Sequence, residues 1–113
     1  VTADLLSELN KVPGVLGSAY VTRESIVSDL GEAVGGEHAA QRCREVVAAC
    51  RNWSSLSGSA LDRAVFVGEH GRIVVQPAGA GTLVAFTENA TSAGLLRLKM
   101  RETSQRIKEM EGE

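Results

Sequence analysis

The stretch Pro77-Ala78-Gly79-Ala80-Gly81-Thr82, set between the apolar runs Val74-Val75 and Leu83 to Phe86, has the small residues that a phosphate-cradling loop uses. A mononucleotide loop also needs a Lys followed by Ser or Thr behind its last glycine, because the ammonium reaches the outer phosphates and the hydroxyl holds magnesium. No Lys stands there. A dinucleotide loop needs a helix after it, so that the helix N-terminus meets the pyrophosphate, and the residues beyond Gly81 carry a strand pattern instead. The sequence therefore predicts a turn, with Pro77 capping the incoming strand and the glycines allowing positive φ.

The other reactive side chains do not assemble into a known chemistry. His38, at the first turn of a helix, and His70, in a Gly-flanked turn, have no partner at metal-ligand spacing. Cys43 and Cys50 lie in a stretch that reads as helix, about 10 Å apart along its axis, and so cannot bridge each other. Outside any CxxC pattern, they are predicted to be buried free thiols. Ser25, Ser28, Asp29 and Glu32 form a small polar cluster, with no nucleophile elbow or Cys-His pairing to activate a nucleophile. Glu24 and Glu32 flank one hairpin arm as the nearest thing to paired carboxylates, without a cleft between them. No catalytic residue, metal ligand or cofactor is expected, and the chain reads as a non-enzyme.

The elements that carry these residues are set by hydrophobic period. Leu5, Leu6, Leu9 and Val12 make one helical stripe behind Thr2 as N-cap, ended by Pro13. Val15 to Thr22 alternates as a strand, and Ile26 to Leu30 is short enough to be its hairpin return. After a break at Gly35-Gly36, Ala39, Cys43, Val46, Val47, Cys50 and Trp53 recur at three- and four-residue spacing, predicting an amphipathic helix from Glu37 to Trp53 and then a loop over Ser54 to Ser59. Three strand-like runs come next, Ala60 to Val67, Arg72 to Gln76 and Thr82 to Thr87, at meander spacing. Leu96, Met100, Thr103, Ile107 and Met110 predict a long last helix, capped by Thr91 or Ser92, with Glu102 and Arg106 paired on its wet side.

With 113 residues, 43% apolar and 23% charged, the chain has the composition of one ordinary domain able to bury its own core. Net charge is −2 with the cations scattered, which argues against nucleic acid and anionic membrane surfaces as partners. No run approaches a membrane span, and a cytoplasmic location is the expectation. Five short antiparallel strands leave an open edge. The run Leu61 to Val67 is the apolar candidate for it, and a two-fold copy of the same chain is the partner expected to cover it.

Three segments in this order resemble the roadblock, or dynein light chain, domain family: Leu5 to Glu24 with its Val-Pro-Gly-Val junction, Gly71 to Asn89 with its Pro-Gly hairpin, and Ser92 to Ile107 opening on Gly-Leu-Leu-Arg. The resemblance covers nearly the whole chain. It implies a profilin-like α+β sandwich of order αββαβββα, a single domain over residues 1–113, with a five-stranded antiparallel sheet carrying the middle helix on one face and the terminal helices on the other. It also implies dimers joined through the third strand and the middle helix. Members act as non-catalytic partners of Ras-like small GTPases, as scaffolds, or as motor light chains. One departure stands out: where the family has an Asp-Gly-type first turn, this chain has Arg23-Glu24-Ser25, and a wider turn is expected because neither Glu nor Ser takes positive φ cheaply.

Carried onto this sequence, the dimer contact is expected at Cys43, Val46, Val47 and Cys50 on the helix and at Leu61, Arg63, Ala64, Val65, Phe66 and Val67 on the strand. Cys43 of one copy would then approach Cys50 of the other. The outward helix side, with Gln41, Arg42, Arg44, Glu45 and Arg51, is expected to dock the GTPase, one per two copies. The partners expected are thus a second copy or a sister domain, and a Ras-like GTPase. A small-molecule sensor and a purely structural light chain are the alternatives, the sensor disfavoured by the scarcity of aromatic residues to line a pocket.

Overall fold

The computed structural model describes residues 2–30 and 38–112. Its elements run α1 (Thr2–Leu9), β1 (Val15–Val21), β2 (Ile26–Leu30), α2 (Ala39–Ser57), β3 (Ala64–Val67), β4 (Arg72–Ala78), β5 (Gly81–Thr87) and α3 (Ala93–Glu111). The strands form one sheet in the order β2-β1-β5-β4-β3, every neighbouring pair antiparallel. This is the αββαβββα sandwich that the resemblance implies. Two cores result, one on each face. Leu6, Leu9, Leu83, Leu96, Met100 and Ile107 pack between the sheet and the pair α1 and α3, while Cys43, Val47, Cys50, Val75, Val84 and Phe86 pack between the sheet and α2.

Because both faces are covered, β1 and β5 are buried on both sides, and their alternation does not read as inside and outside. The alternation is also broken once. A bulge between Val15 and Gly17 in the β1–β5 ladder puts Val15 against the α1/α3 core and Leu16 against the α2 core, the reverse of a strict two-residue count.

Several element ends differ from the sequence expectation. Thr2 is the first residue of α1 rather than its cap, and the helix ends at Leu9. Tight turns then carry the chain so that Val12 still reaches the core, with its amide on the Leu9 carbonyl at 3.2 Å. The first β-turn is wider than an Asp-Gly hairpin, as expected: Val21 pairs with Ile26, the Thr22 amide donates to the Ser25 carbonyl at 2.9 Å, and no non-glycine residue among those described has positive φ. His38 is the N-cap residue of α2, without a side-chain cap bond, and the helix runs on through Ser54 to Ser57, the span expected as loop. Only Gly58, at φ 72, supplies the left-handed stop. The expected breaks and carboxylates at Glu32, Gly35, Gly36 and Glu37 lie outside the described residues.

The Pro-Gly stretch is a hairpin and no phosphate loop. Pro77 and Ala78 belong to β4 and pair with Thr82 and Gly81, so only Gly79 and Ala80 form the turn. Gly79 has φ 58 and Ala80 does not go positive, the combination a type II′ turn requires. Pro77 is tolerated inside the strand because β3 stops pairing at Val75, so its missing amide hydrogen breaks no bond on that side. At the other end of the chain Ser92 caps α3 by accepting the Leu95 amide at 3.3 Å, and Arg106 lies 3.6 Å from Glu102 as expected. Among the described residues no helix is long and apolar enough to cross a membrane.

Candidate protein–protein interface

The two edges of the sheet differ. On β2 the apolar side chains Ile26, Val27 and Leu30 are half-buried. On β3, Val65, Phe66 and Val67 are 44%, 41% and 70% exposed in succession. The strand is only four residues long, shorter than the run from Ala60 predicts, and among the described residues pairs with β4 alone. Side chains alternate along it. Ala64 and Phe66, opposite Val75 and Ile73, look toward α2, whereas Val65 and Val67, opposite Val74 and Arg72, look toward α3.

Beside this edge lies an open groove of ≈ 440 Å³ whose walls are Ala49, Cys50 and Trp53 of α2 and Leu61, Arg63, Ala64, Val65 and Phe66 of the edge segment. Trp53 is 50% exposed. Arg42, Val46, Ala49 and Trp53 succeed one another at four-, three- and four-residue steps, so they share the flank of α2 that borders the groove. An apolar helix flank thus runs straight into an apolar strand edge. A second open cavity, of ≈ 380 Å³, lies between the C-terminal half of α2 and the sheet and includes Val47, Leu61, Val75 and Pro77.

Three of the four helix residues expected at the dimer contact are used inside the chain. Cys43, Val47 and Cys50 are 0%, 3% and 7% exposed and pack against the sheet, Cys50 also reaching the groove wall. The exposed flank, with Ala49 and Trp53, is one step around the helix from Cys43 and Cys50. Cys43 and Cys50 both face the chain's own sheet. The thiols are free and buried, as predicted, and burial pushes both pKa values up. Of the strand residues, Val65, Phe66 and Val67 are exposed, while Leu61, Arg63 and Ala64 are half-buried.

The five outward residues, all exposed, do not make one face. Arg42 shares the groove flank. Gln41 and Glu45 point away from the sheet and are joined by a 3.3 Å hydrogen bond. Arg44 and Arg51 turn to the opposite flank, where they line a depression with Val21, Thr22 and Arg23. Arg23 thus joins them across the chain, and only the long-range fold reveals it. His70 sits in the exposed β3–β4 turn, which Asn89 holds by donating to the Glu69 carbonyl at 2.9 Å. Among the described residues no group of His, Cys, Asp and Glu is placed to hold a metal.

The chain has the roadblock fold, with β3 exposed at one edge of the sheet. Solved structures carry the same fold. MglB of Myxococcus xanthus superposes with a TM-score of 0.81 at 19% identity over 96% of this chain and 93% of its own. The roadblock/LC7 domain from Streptomyces avermitilis gives 0.81 at 12% identity over 98% of both chains. A further MglB structure, described as a tetrameric arrangement, gives 0.76 at 17% over 96% and 85%. No family model matches the chain. The chain belongs to one family with the uncharacterized protein MJ0714 of Methanocaldococcus jannaschii, 34% identical over 109 residues, covering 94% of this chain and 92% of that protein.

Proposed function

We propose that the chain is a non-catalytic, dimerising partner or scaffold of a Ras-like small GTPase, acting in the cytoplasm. The observation that carries the reading is the exposed β3 edge continuous with the Val46, Ala49 and Trp53 flank of α2. Antiparallel pairing of two β3 strands continues the sheet across a two-fold axis and brings the two α2 flanks together, so one self-complementary surface covers both apolar features. Burying a side chain the size of Phe66 or Trp53 contributes about 1.5–3 kcal/mol, enough to favour association if several take part. A neighbour of the same fold described as a tetrameric arrangement supports self-association. The GTPase assignment rests on the roadblock resemblance.

Sedimentation at micromolar concentration tests the dimer. The native chain should run as a dimer, and Phe66→Glu or Trp53→Glu should give a folded monomer with unchanged circular dichroism. A native chain that stays monomeric defeats the reading. Val47→Glu is unsuited to the purpose, since it buries a charge in the chain's own core. For the partner, Arg44 and Arg51 offer a cationic depression with Arg23 on the flank of α2 away from the proposed seam. Arg44→Glu with Arg51→Glu should abolish recovery of a nucleotide-bound GTPase from native lysate, with dimer mass and melting temperature retained because exposed charges contribute little to stability. Recovery undiminished by that pair moves the docking surface elsewhere. A small-molecule sensor is favoured by the ≈ 380 Å³ cavity, and a metabolite that raises the melting temperature would support it.

A further inference from the structure

Among the described residues, four buried side-chain polar atoms have no hydrogen-bond partner: Arg63 Nε, Arg72 Nε, Thr87 Oγ1 and Thr91 Oγ1. All four residues line a single cavity of ≈ 100 Å³ on the α3 side of the sheet, walled also by Val65, Val74, Ala93 and Leu96, with the Thr91 hydroxyl itself lying against Gly14. Unpartnered buried polar groups are rare and costly in folded proteins, so four around one small space call for a common cause. Arg72 and Thr87 are direct cross-strand neighbours and therefore face the cavity from adjacent strands. Thr87 is 2% exposed and Thr91 8%.

The chemistry of the lining is that of a donor set. Guanidinium groups only donate, and each hydroxyl has a proton to give. Ala93 is the first residue of the nineteen-residue α3, and with the Ser92 side chain accepting the Leu95 amide, the Ala93 and Gly94 amides have no intrahelical acceptor. The positive end of the helix dipole lies there as well. Arg63 also borders a neighbouring trough of ≈ 140 Å³ with Asp62, Gln76, Arg97 and Arg101. None of the four arginines has a carboxylate within ion-pair distance among the described residues. Burial, and then the Arg97 charge, push the Arg63 guanidinium below its ordinary value.

We propose that this cavity binds the phosphoryl group of a small phosphate-bearing ligand, and that the adjoining trough over Arg97 and Arg101 takes a second phosphoryl group attached to the first. A tetrahedral oxyanion accepts from several convergent donors at once, and Arg offers the planar fork that suits it. The site lies on the α3 face of the sheet, shares Arg63 and Val65 with the groove beside β3, and does not depend on the GTPase reading.

Isothermal titration and backbone amide NMR on the intact protein, with inorganic phosphate, pyrophosphate and acetate at matched ionic strength, test it. Pyrophosphate should bind more tightly than phosphate, acetate should not bind, and the amide signals of Thr87 and Ala93 should shift. Thr87→Val keeps the shape while removing an unpartnered hydroxyl, so it should melt no lower than the native chain yet bind both phosphates about tenfold more weakly. Arg72→Gln should do the same to binding, and gives the readout if the valine variant fails to fold. Arg101→Gln should bring pyrophosphate down to the affinity of phosphate. The proposal is overturned if neither phosphate shifts those amides, if acetate binds as well as phosphate, or if Thr87→Val binds phosphate as the native chain does.

Discussion

The Tyr20 hydroxyl lies 2.7 Å from the Ala78 carbonyl and 2.6 Å from Glu111 Oε1, with one proton to share between them. Glu111 Oε2 accepts the Ala80 amide at 2.8 Å, so the Gly79-Ala80 turn holds the chain's own carboxylate rather than a phosphate. Burial first, and then Glu111, push the Tyr20 phenol from its ordinary 10.0 up to about 12. The Tyr20 hydroxyl first, and then the Ala80 amide, hold Glu111 below its ordinary value. The signs are opposite. A raised phenol stabilises the fold fully below pH 10 and loses that contribution as pH climbs toward 12. A depressed carboxylate stabilises above its ordinary value and loses that as pH falls through its folded one. Urea midpoints followed into alkali should therefore drop for the native chain and drop less for Tyr20→Phe, which should itself cost about 1 kcal/mol at neutral pH. Gly79→Ala should be destabilising by about 1 kcal/mol or more, since φ is 58 and a methyl group would strike the Glu111 carboxylate.

At the scale of elements, α2 carries both cysteines on its sheet-facing side, and their reactivity should reflect it. Cys43 and Cys50 should react with an aromatic disulfide reagent only as fast as the helix lifts from the sheet, and mild oxidant should give no disulfide-linked dimer, whatever the oligomeric state. A prompt dimer band on a non-reducing gel would contradict the burial. The period of Cys43, Val47 and Cys50 makes this helix legible from sequence, but period alone does not say whether an apolar residue faces the chain's own sheet or another molecule. Trp53 belongs to the same stripe and is nonetheless half-exposed, because a stripe spanning both directions covers more arc than one sheet can bury. The end of α2 is hidden for another reason: Ser54, Ser55 and Ser57 have modest helix propensity, and the stop depends on a left-handed Gly58 rather than on polarity. The β1 bulge leaves no local signal, since it is defined by the register with β5, far along the chain. Arg63, Arg72, Thr87 and Thr91 stand apart along the sequence, and no spacing within it brings them together.

On the scale of the whole molecule, the sheet order places the first and last strands of the chain side by side at its centre. The pairs β1–β2, β3–β4 and β4–β5 are hairpins closed by short turns, whereas β1–β5 joins Val21 to Thr82 across most of the sequence. Closing that long loop costs conformational entropy before either core can reward it. The hairpins therefore cannot be stable in advance of the centre, and the molecule should fold in one cooperative step limited by the meeting of β1 and β5. Leu83→Ala, at the buried centre, should slow refolding as well as cost about 2–5 kcal/mol. Phe66→Ala, at the free edge, should leave the refolding rate of the single chain untouched and show itself only in unfolding. Amide hydrogen exchange should be slowest along β1 and β5 and fastest along β3 in the isolated chain. The strand that the proposed partner would grip is thus the last to commit, and its protection in exchange would serve as a clock for when a second copy arrives.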